Sequence, residues 1–317
     1  MKKSIFVFSL LVMVLLFACY SGSKKITIGY VQITQDPVLD VAKEGVFRAL
    51  NDSGFVNGEN IKVLDNNAQG DFSMINMILQ SFQSQNVDLI VTNSTPCMIA
   101  AAQIIRNTPI VFTVATGPEQ VGLKAIPDNL FGVYDLLRAD EFVGLILDCI
   151  PNLRRIGIPY NNAEPNAVYS VEVLSKAFSD RGITLITASV TSSNDIFQAG
   201  QYLVGQRIDA LVAAADNTVY LGLQVLSKLA SEQKIPLFVS DPLQAEKGAA
   251  IGFGANYDLW GYQSGIKAVD ILRGRASTSN RIERVTKYDL TINRKACTEQ
   301  GLAVPEKVLN KATHIIN

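Results

Sequence analysis

From residue 26 onward, short β-rich apolar runs alternate with amphipathic helical stretches, and the pattern runs through the chain twice. The first series of candidate strands is Ile26–Val31, Ile61–Leu64, Asp88–Val91, Pro109–Thr113 and Leu130–Val133. The second is Arg155–Pro159, Ile183–Thr187, Ala210–Ala214, Pro236–Val239 and Ala249–Phe253. Between the runs the apolar period lengthens to three and four. Leu39, Ala42, Val46 and Ala49 share one helix face, as do Val168, Val171, Leu174 and Phe178, and Leu221, Val225 and Leu229. Strand–helix–strand alternation implies a parallel sheet covered by helices on both faces. The expected fold class is therefore α/β.

The two series echo each other. Ile26-Thr27-Ile28-Gly29-Tyr30 returns as Ile156-Gly157-Ile158-Pro159-Tyr160, and Val87-Asp88-Leu89-Ile90-Val91 as Ile208-Asp209-Ala210-Leu211-Val212. Thr108-Pro109-Ile110-Val111-Phe112 returns as Lys234-Ile235-Pro236-Leu237-Phe238. The offset is far larger than a solenoid repeat. It suggests two doubly wound lobes of similar topology, although generic α/β sequence also produces such echoes. Beyond the second series, Tyr257–Leu272 reads as a helix, Arg273 to Arg284 as polar and turn-like, and Lys287–Ile292 as one more strand. An extra helix and strand after both lobes suggest that the chain recrosses between them.

The N-terminus stands apart. Lys2 and Lys3 precede an apolar run from Ile5 to Phe17, then Leu16-Phe17-Ala18-Cys19 and a small, polar stretch. That run is shorter than the roughly 20 residues of a spanning helix. A charged start, a short apolar run and a small residue before the cut have the layout of a secretory signal. The Leu-x-Ala-Cys ending resembles a bacterial lipobox, which would make Cys19 the lipidated first residue of the mature protein. The alternative is an ordinary signal with an incidental cysteine. A lipid holds a protein at a membrane surface without a spanning helix. Cys97, Cys149 and Cys297 remain. Three cannot all pair internally, their spacing fits no metal motif, and each reads by default as a small buried hydrophobe.

Composition removes other classes. The net charge is -1 across 317 residues, so a nucleic-acid partner has no electrostatic support. The one histidine, His314, lies three residues from the end. No histidine-based triad or metal cluster is therefore possible elsewhere. No Gly-x-Gly-x-x-Gly, Walker A or Gly-x-Ser-x-Gly motif occurs. Carboxylate-pair hydrolysis stays open because Asp and Glu abound, but no spacing singles out a pair, and the chain reads as a binder rather than an enzyme, with no cofactor.

In an open parallel sheet, ligands bind beyond the carboxyl ends of the strands. The loops there pair short polar side chains with a proline at the presumed helix start: Pro37, Pro96, Pro118, Pro165 and Pro242. Capping explains any one of them. As a set they also offer helix N-termini, which suit a carboxylate. Ser94, Thr95 and Thr116 are candidates for an anionic group, and Glu164 and Asp216 for a cationic one. An amino acid carries both.

At these loops the chain resembles the solute-binding lipoproteins of ABC transporters of the tryptophan/tyrosine type. The resemblance covers about residues 25 to 303. It rests on Gln35-Asp36-Pro37-Val38-Leu39-Asp40, Asn67-Ala68-Gln69-Gly70-Asp71, Thr95-Pro96, Pro109-Ile110-Val111-Phe112-Thr113, Tyr160-Asn161, Glu164, Asp216-Asn217-Thr218 and Gly261-Tyr262-Gln263-Ser264-Gly265. It implies a type I periplasmic-binding-protein fold with three hinge crossings and a cleft that closes on a small solute, often an aromatic amino acid. It puts ligand contacts at Ser94, Thr95, Thr116, Asn162, Glu164, Asp216 and Asn217, with Asn256 and Tyr257 beside the second crossing. Tyr30 and Tyr160 are either stacking or packing residues. Pro165 and the polar Thr92-Asn93-Ser94 depart from the family's usual pattern, which leaves the particular solute open. The expected division is signal 1–18, linker 19–25, lobe one 26–134 with 256–288, and lobe two 135–255 with 289–317. The expected partners are a small solute, an ABC permease and the lipid at Cys19, with the protein itself a monomer. The alternative role is a sensor that presents its closed form to a surface receptor.

Overall fold

The computed structural model describes residues 25–277 and 279–317. The expected signal segment and Cys19 lie outside the described residues. In chain order the elements are β1 (Ile26–Gln32), α1 (Pro37–Asp52), β2 (Ile61–Asn67), α2 (Phe72–Ser84), β3 (Leu89–Asn93), α3 (Thr95–Ile104), β4 (Ile110–Thr116) and β5 (Leu130–Asp135). There follow α4 (Ala139–Cys149), β6 (Arg155–Asn161), α5 (Pro165–Ser179), β7 (Thr184–Val190), α6 (Ile196–Gly205), β8 (Ala210–Ala213), α7 (Asn217–Leu221), α8 (Leu223–Gln233), β9 (Leu237–Val239) and β10 (Ile251–Ala255). Last come α9 (Tyr257–Leu272), β11 (Ile282–Arg284), β12 (Tyr288–Asn293), α10 (Arg294–Glu299), α11 (Glu306–Leu309) and β13 (His314–Ile316).

Two sheets result. The first has strand order β11-β5-β4-β3-β1-β2, the second β13-β12-β10-β9-β8-β6-β7. All neighbours are parallel except β10 and β12. Strands 2-1-3-4-5 of one lobe and 7-6-8-9-10 of the other follow the same order, each reversing direction beside its first strand. That reversal opens a crevice at the carboxyl ends of the central strands. Apolar side chains fill both faces of each sheet, as the unbroken apolar runs require.

The chain passes between the sheets three times: after Asp135, after Ala255 and after Arg284. A separate apolar cluster sits at these crossings, built on Val38, Ala42, Val133, Ala255, Tyr257, Trp260 and Val285. The second crossing leads into α9, which lies against α1 at very short range. A Cβ added to Gly261 would stand 1.9 Å from the carbonyl oxygen of Ala42. Arg48 clasps Asp258 across the same contact with bonds of 2.6 and 2.9 Å. Gly261 is thus a close-approach glycine that seats the crossing helix on lobe one.

Three sequence readings differ from the structure. The polar stretch before Arg284 contains β11, which extends the first sheet by pairing with Gly132–Tyr134 of β5. Three residues with a single isoleucine carry no period-2 signal, so the pairing is imposed by the β5 edge. Leu221 does not share a helix with Val225 and Leu229, because the chain breaks at Gly222 between α7 and α8. Val168, Leu221 and Val225 are also exposed. Finally, Pro118 opens a turn and no helix. Cys97, Cys149 and Cys297 are free thiols, Cys97 and Cys297 buried. Among the described residues, no helix is long and apolar enough to cross a membrane.

Candidate functional site: a cleft between the lobes

Side chains from both lobes and from the crossings line one cavity. Lobe one contributes Thr34, Asp36, Val38, Leu39, Thr95, Val114 and Thr116, and the crossings Asp135, Leu137, Ala255, Tyr257 and Trp260. Lobe two contributes Asn166, Tyr169, Ser170, Asp216, Asn217, Tyr220, Ser240, Asp241 and Gln244. The space open to the centre of a water molecule is ≈ 70 Å³. One water needs roughly 10–15 Å³ by that measure, so several fit.

The lobe-one wall carries threonine hydroxyls and the Asp36 carboxylate, backed by a strained backbone. Ser94 follows β3 directly, and its φ of 116° and ψ of 158° lie in a region that glycine alone enters easily. Its amide donates to Thr113 O at 3.2 Å, while its buried hydroxyl has no partner. β4 carries an irregular register between Phe112 and Ala115, with Val114 at φ 48°. That bulge turns Thr116 towards α3, so its amide donates to Thr95 Oγ1 at 3.0 Å. α3 starts at Thr95, and Pro96 has no amide hydrogen to contribute. The wall therefore presents hydroxyls and the positive end of a helix.

The lobe-two wall has the opposite character. Asp216 caps α7 by accepting from Val219 N at 2.9 Å, and its other oxygen accepts from Asn161 N at 2.6 Å. Burial raises its pKa well above the ordinary carboxylate range, with the nearby charge of Glu164 adding to the rise. Asp241 caps the 3-10 turn Pro242–Lys247 through Leu243 N at 2.9 Å. Its Oδ2 accepts no well-aligned hydrogen bond, although the Tyr257 hydroxyl lies near enough to favour the ionised form, and burial outweighs this and pushes the carboxyl to about 7. Gln244 Oε1 and Asn166 Oδ1 are also unpartnered. The Asn166 amide nitrogen is already committed to Glu164 Oε2 at 3.1 Å and Ala215 O at 2.8 Å. At the first crossing, burial likewise pushes Asp135 to about 6, and it accepts from the Tyr288 hydroxyl.

Asp36, Asp135, Asp216 and Asp241 thus line the cavity, and among the described residues no lysine, arginine or histidine joins them in its lining. Unpartnered buried acceptors are costly and match a ligand that brings donors. Among the described residues no group of acidic, cysteine or histidine side chains is arranged to hold a metal.

Of the residues singled out from the sequence, Thr95, Thr116, Asp216, Asn217 and Tyr257 line the cavity. Ser94, Asn162, Glu164 and Asn256 do not. Asn162 is exposed on the turn after β6. Glu164 is buried, and its two oxygens accept from the amides and side chains of Asn217 and Thr218. It builds the loop that carries Asp216. Asn256 caps α9 through Leu259 N at 2.9 Å and donates to Asp289. Tyr30 is fully buried, packs on Phe47 and bonds Gln32 and Asn93, which makes it a packing residue. Tyr160 does not line the cavity either. The aromatic lining is Tyr169, Tyr220, Tyr257 and Trp260, with the last two rings 5.5 Å apart. Sequence reasoning passed over Tyr169, Tyr220 and Trp260. Each lies three or four residues into a helix from a polar cap or its neighbour, the spacing that returns a side chain to the same face.

Two lobes of matching strand order, three crossings and a polar cleft between them define a two-lobed binding protein with the type I periplasmic-binding-protein fold, which distant solute-binding proteins share. The chain belongs to the ABC transporter substrate binding protein family, whose model matches residues 27–316. A tyrosine-binding protein of Clostridioides difficile (strain R20291) is 32% identical over 276 residues, 86% of this chain and 80% of that one. A solved ABC domain in complex with L-Trp from Streptococcus pneumonia is 26% identical, with a TM-score of 0.86 over 92% of this chain and 100% of that chain. A ligand-free, open structure of a substrate-binding protein with adhesive properties from Clostridium difficile is 32% identical, with a TM-score of 0.68 over 92% and 99%.

Proposed function

We propose that this protein is the exported, lipid-anchored receptor of an ABC importer and that its solute is an amino acid with an aromatic side chain. The ammonium goes to lobe two, where Asp241, Asp216, Asn166 and Gln244 present acceptors. The carboxylate goes to lobe one, against the start of α3 with Thr95 and Thr116. The ring lies among Tyr169, Tyr220, Tyr257 and Trp260. The observation that supports this reading is the contrast between the walls: threonine hydroxyls and a helix start on lobe one, where the Asp36 carboxylate is already paired with Lys247, and buried unpartnered acceptors of Asn166, Asp241 and Gln244 on lobe two. A zwitterion satisfies both at once.

Capture proceeds by rotation of the lobes about the three crossings, which buries the solute. The better agreement with the tryptophan-bound neighbour than with the ligand-free, open one supports this, since the latter is the nearer of the two in sequence. The closed form is then read by a membrane permease, with Cys19 as the tether and the receptor acting as a monomer. Membership in the transporter family favours this over presentation to a surface receptor. The solute leaves chemically unchanged.

A thermal-shift screen of the purified protein against the common amino acids tests the reading. A ligand of the native state raises the melting temperature by mass action, with about 2.7 kcal/mol of stabilisation at a hundred times its Kd. L-tyrosine or L-tryptophan is expected to give the largest shift. No shift with any aromatic amino acid would remove the proposed solute class.

A further inference from the structure

Apart from bonds at the three crossings, one polar contact joins the lobes among the described residues. Lys247 Nζ donates to Asp36 Oδ2 at 2.7 Å. The carboxylate side chain is 6% exposed and the lysine side chain 20%. Asp36 belongs to the first loop of lobe one, where its other oxygen caps α1 by accepting from Val38 N. Lys247 is the last residue of the 3-10 turn in lobe two. Asp241 begins that same turn and Gln244 lies within it, and both line the cavity. One short element therefore carries cavity acceptors at one end and the interlobe cation at the other.

The charges around it give the lysine a second role. Asp36 and Asp241 come from opposite lobes, both line the cavity, and the charge of Asp36 acts on the Asp241 carboxyl. Bringing the lobes together brings these like charges together, which opposes closure. Lys247 is the cation that bonds one of them and acts on the other.

We propose that Lys247 is a positioning residue for solute capture. It latches the lobes together through Asp36 and offsets the repulsion between Asp36 and Asp241 that closure creates. It touches no solute. Its effect is on the population of the closed form, and that population scales the apparent affinity.

This account predicts an unusual rank order. Lys247→Met removes the latch and leaves two carboxylates facing each other, so it is the more damaging change. Asp36→Asn removes the latch and the repulsion together and keeps a side chain that caps α1. The double variant should match Asp36→Asn alone. Lys247→Arg keeps the charge and should restore closure.

The test is the lobe-to-lobe distance in the ligand-free full chain at about pH 8.5, where Asp241 is ionised, read by spin labels on the outer faces of the two lobes, in 50 mM and 1 M salt. Lys247→Met should lower the closed-to-open ratio about fivefold in low salt, the upper range of a partly exposed ion pair. Asp36→Asn should lower it about twofold. High salt should shift the wild type towards open and shift Lys247→Met slightly towards closed, because it screens the remaining carboxylate repulsion. The proposal is overturned if wild type and Lys247→Met give the same distances at both salts, or if Asp36→Asn opens the protein more than Lys247→Met does. Because no solute is present, these outcomes are independent of whether the aromatic amino-acid reading survives its own screen.

Discussion

In lobe one the cleft meets the ends of β3 and β4, where the Thr116 amide is tied to Thr95 and where Ser94 and Val114 hold positive φ. In lobe two it meets the ends of β8 and β9, where Asp216 and Asp241 cap the turns that follow. The strand orders are the same, so topology does not account for the contrast. The side chains at equivalent strand ends do. Lobe one spends its polar groups on shaping the backbone into a donor surface. Lobe two turns carboxylate and amide oxygens to the cleft, and burial raises the pKa of Asp216 and Asp241. Two copies of one architecture thereby differ in the polar groups they turn to the cleft, as the proposed zwitterionic solute requires.

The largest expected effect comes from removing the charge of lobe two. Asp241→Asn should weaken solute binding by about 3 kcal/mol, on the order of a hundredfold, as for a buried charge pair that loses one partner. Calorimetry measures this directly. The same residue makes the ligand-free protein sensitive to pH. Its folded pKa of about 7 lies above the 3.8 of an ordinary aspartate. The folded state therefore holds an extra proton between about pH 4 and 7, and stability falls as pH rises through that window. Asp216 contributes in the same direction. Melting curves from pH 4 to 8 should show this decline, and Asp241→Asn should flatten it. Solute affinity should rise over the same window as the carboxylate ionises.

Glu164→Ala comes next. It strips partners from the amides and side chains of Asn217 and Thr218, at about 2–3 kcal/mol of stability. Chemical denaturation should register that loss, with a smaller loss of solute affinity than Asp241→Asn. Thr95→Val should cost about 1–2 kcal/mol in binding by freeing the Thr116 amide and withdrawing a hydroxyl from the lobe-one wall. Ser94→Gly has the opposite sign. It relieves the positive-φ strain and should stabilise the protein by about 1 kcal/mol, raising the melting temperature by a few degrees.

Much of the architecture was legible because doubly covered strands print themselves as apolar runs. The two series and the recrossing helix followed from that alone. Strand β11 was not legible, since three residues at a sheet edge borrow their structure from a neighbour. The cleft loops were legible as loops because Ser, Thr, Asn, Asp and Pro mark strand ends and helix starts. Which of their side chains turn inward was not. Asp216 and Glu164 look alike in sequence, yet one lines the cavity and the other binds the loop behind it. That Asp241 lines the cavity was not legible either, although its loop Ser240-Asp241-Pro242 was marked, because a cap and a cavity-facing carboxylate have the same spelling. Tyr30 looked like a stacking residue at a strand end, but its hydroxyl is taken up by Asn93 and Gln32.

The opposed-wall account is tested most directly by isothermal titration of the protein with L-tyrosine, L-tryptophan and two tyrosine analogues. One analogue lacks the α-ammonium and the other lacks the α-carboxylate. The account predicts tight binding of at least one parent amino acid. It predicts loss of nearly all affinity without the ammonium, and a smaller loss without the carboxylate. An analogue lacking the ammonium that bound as tightly as its parent would contradict it.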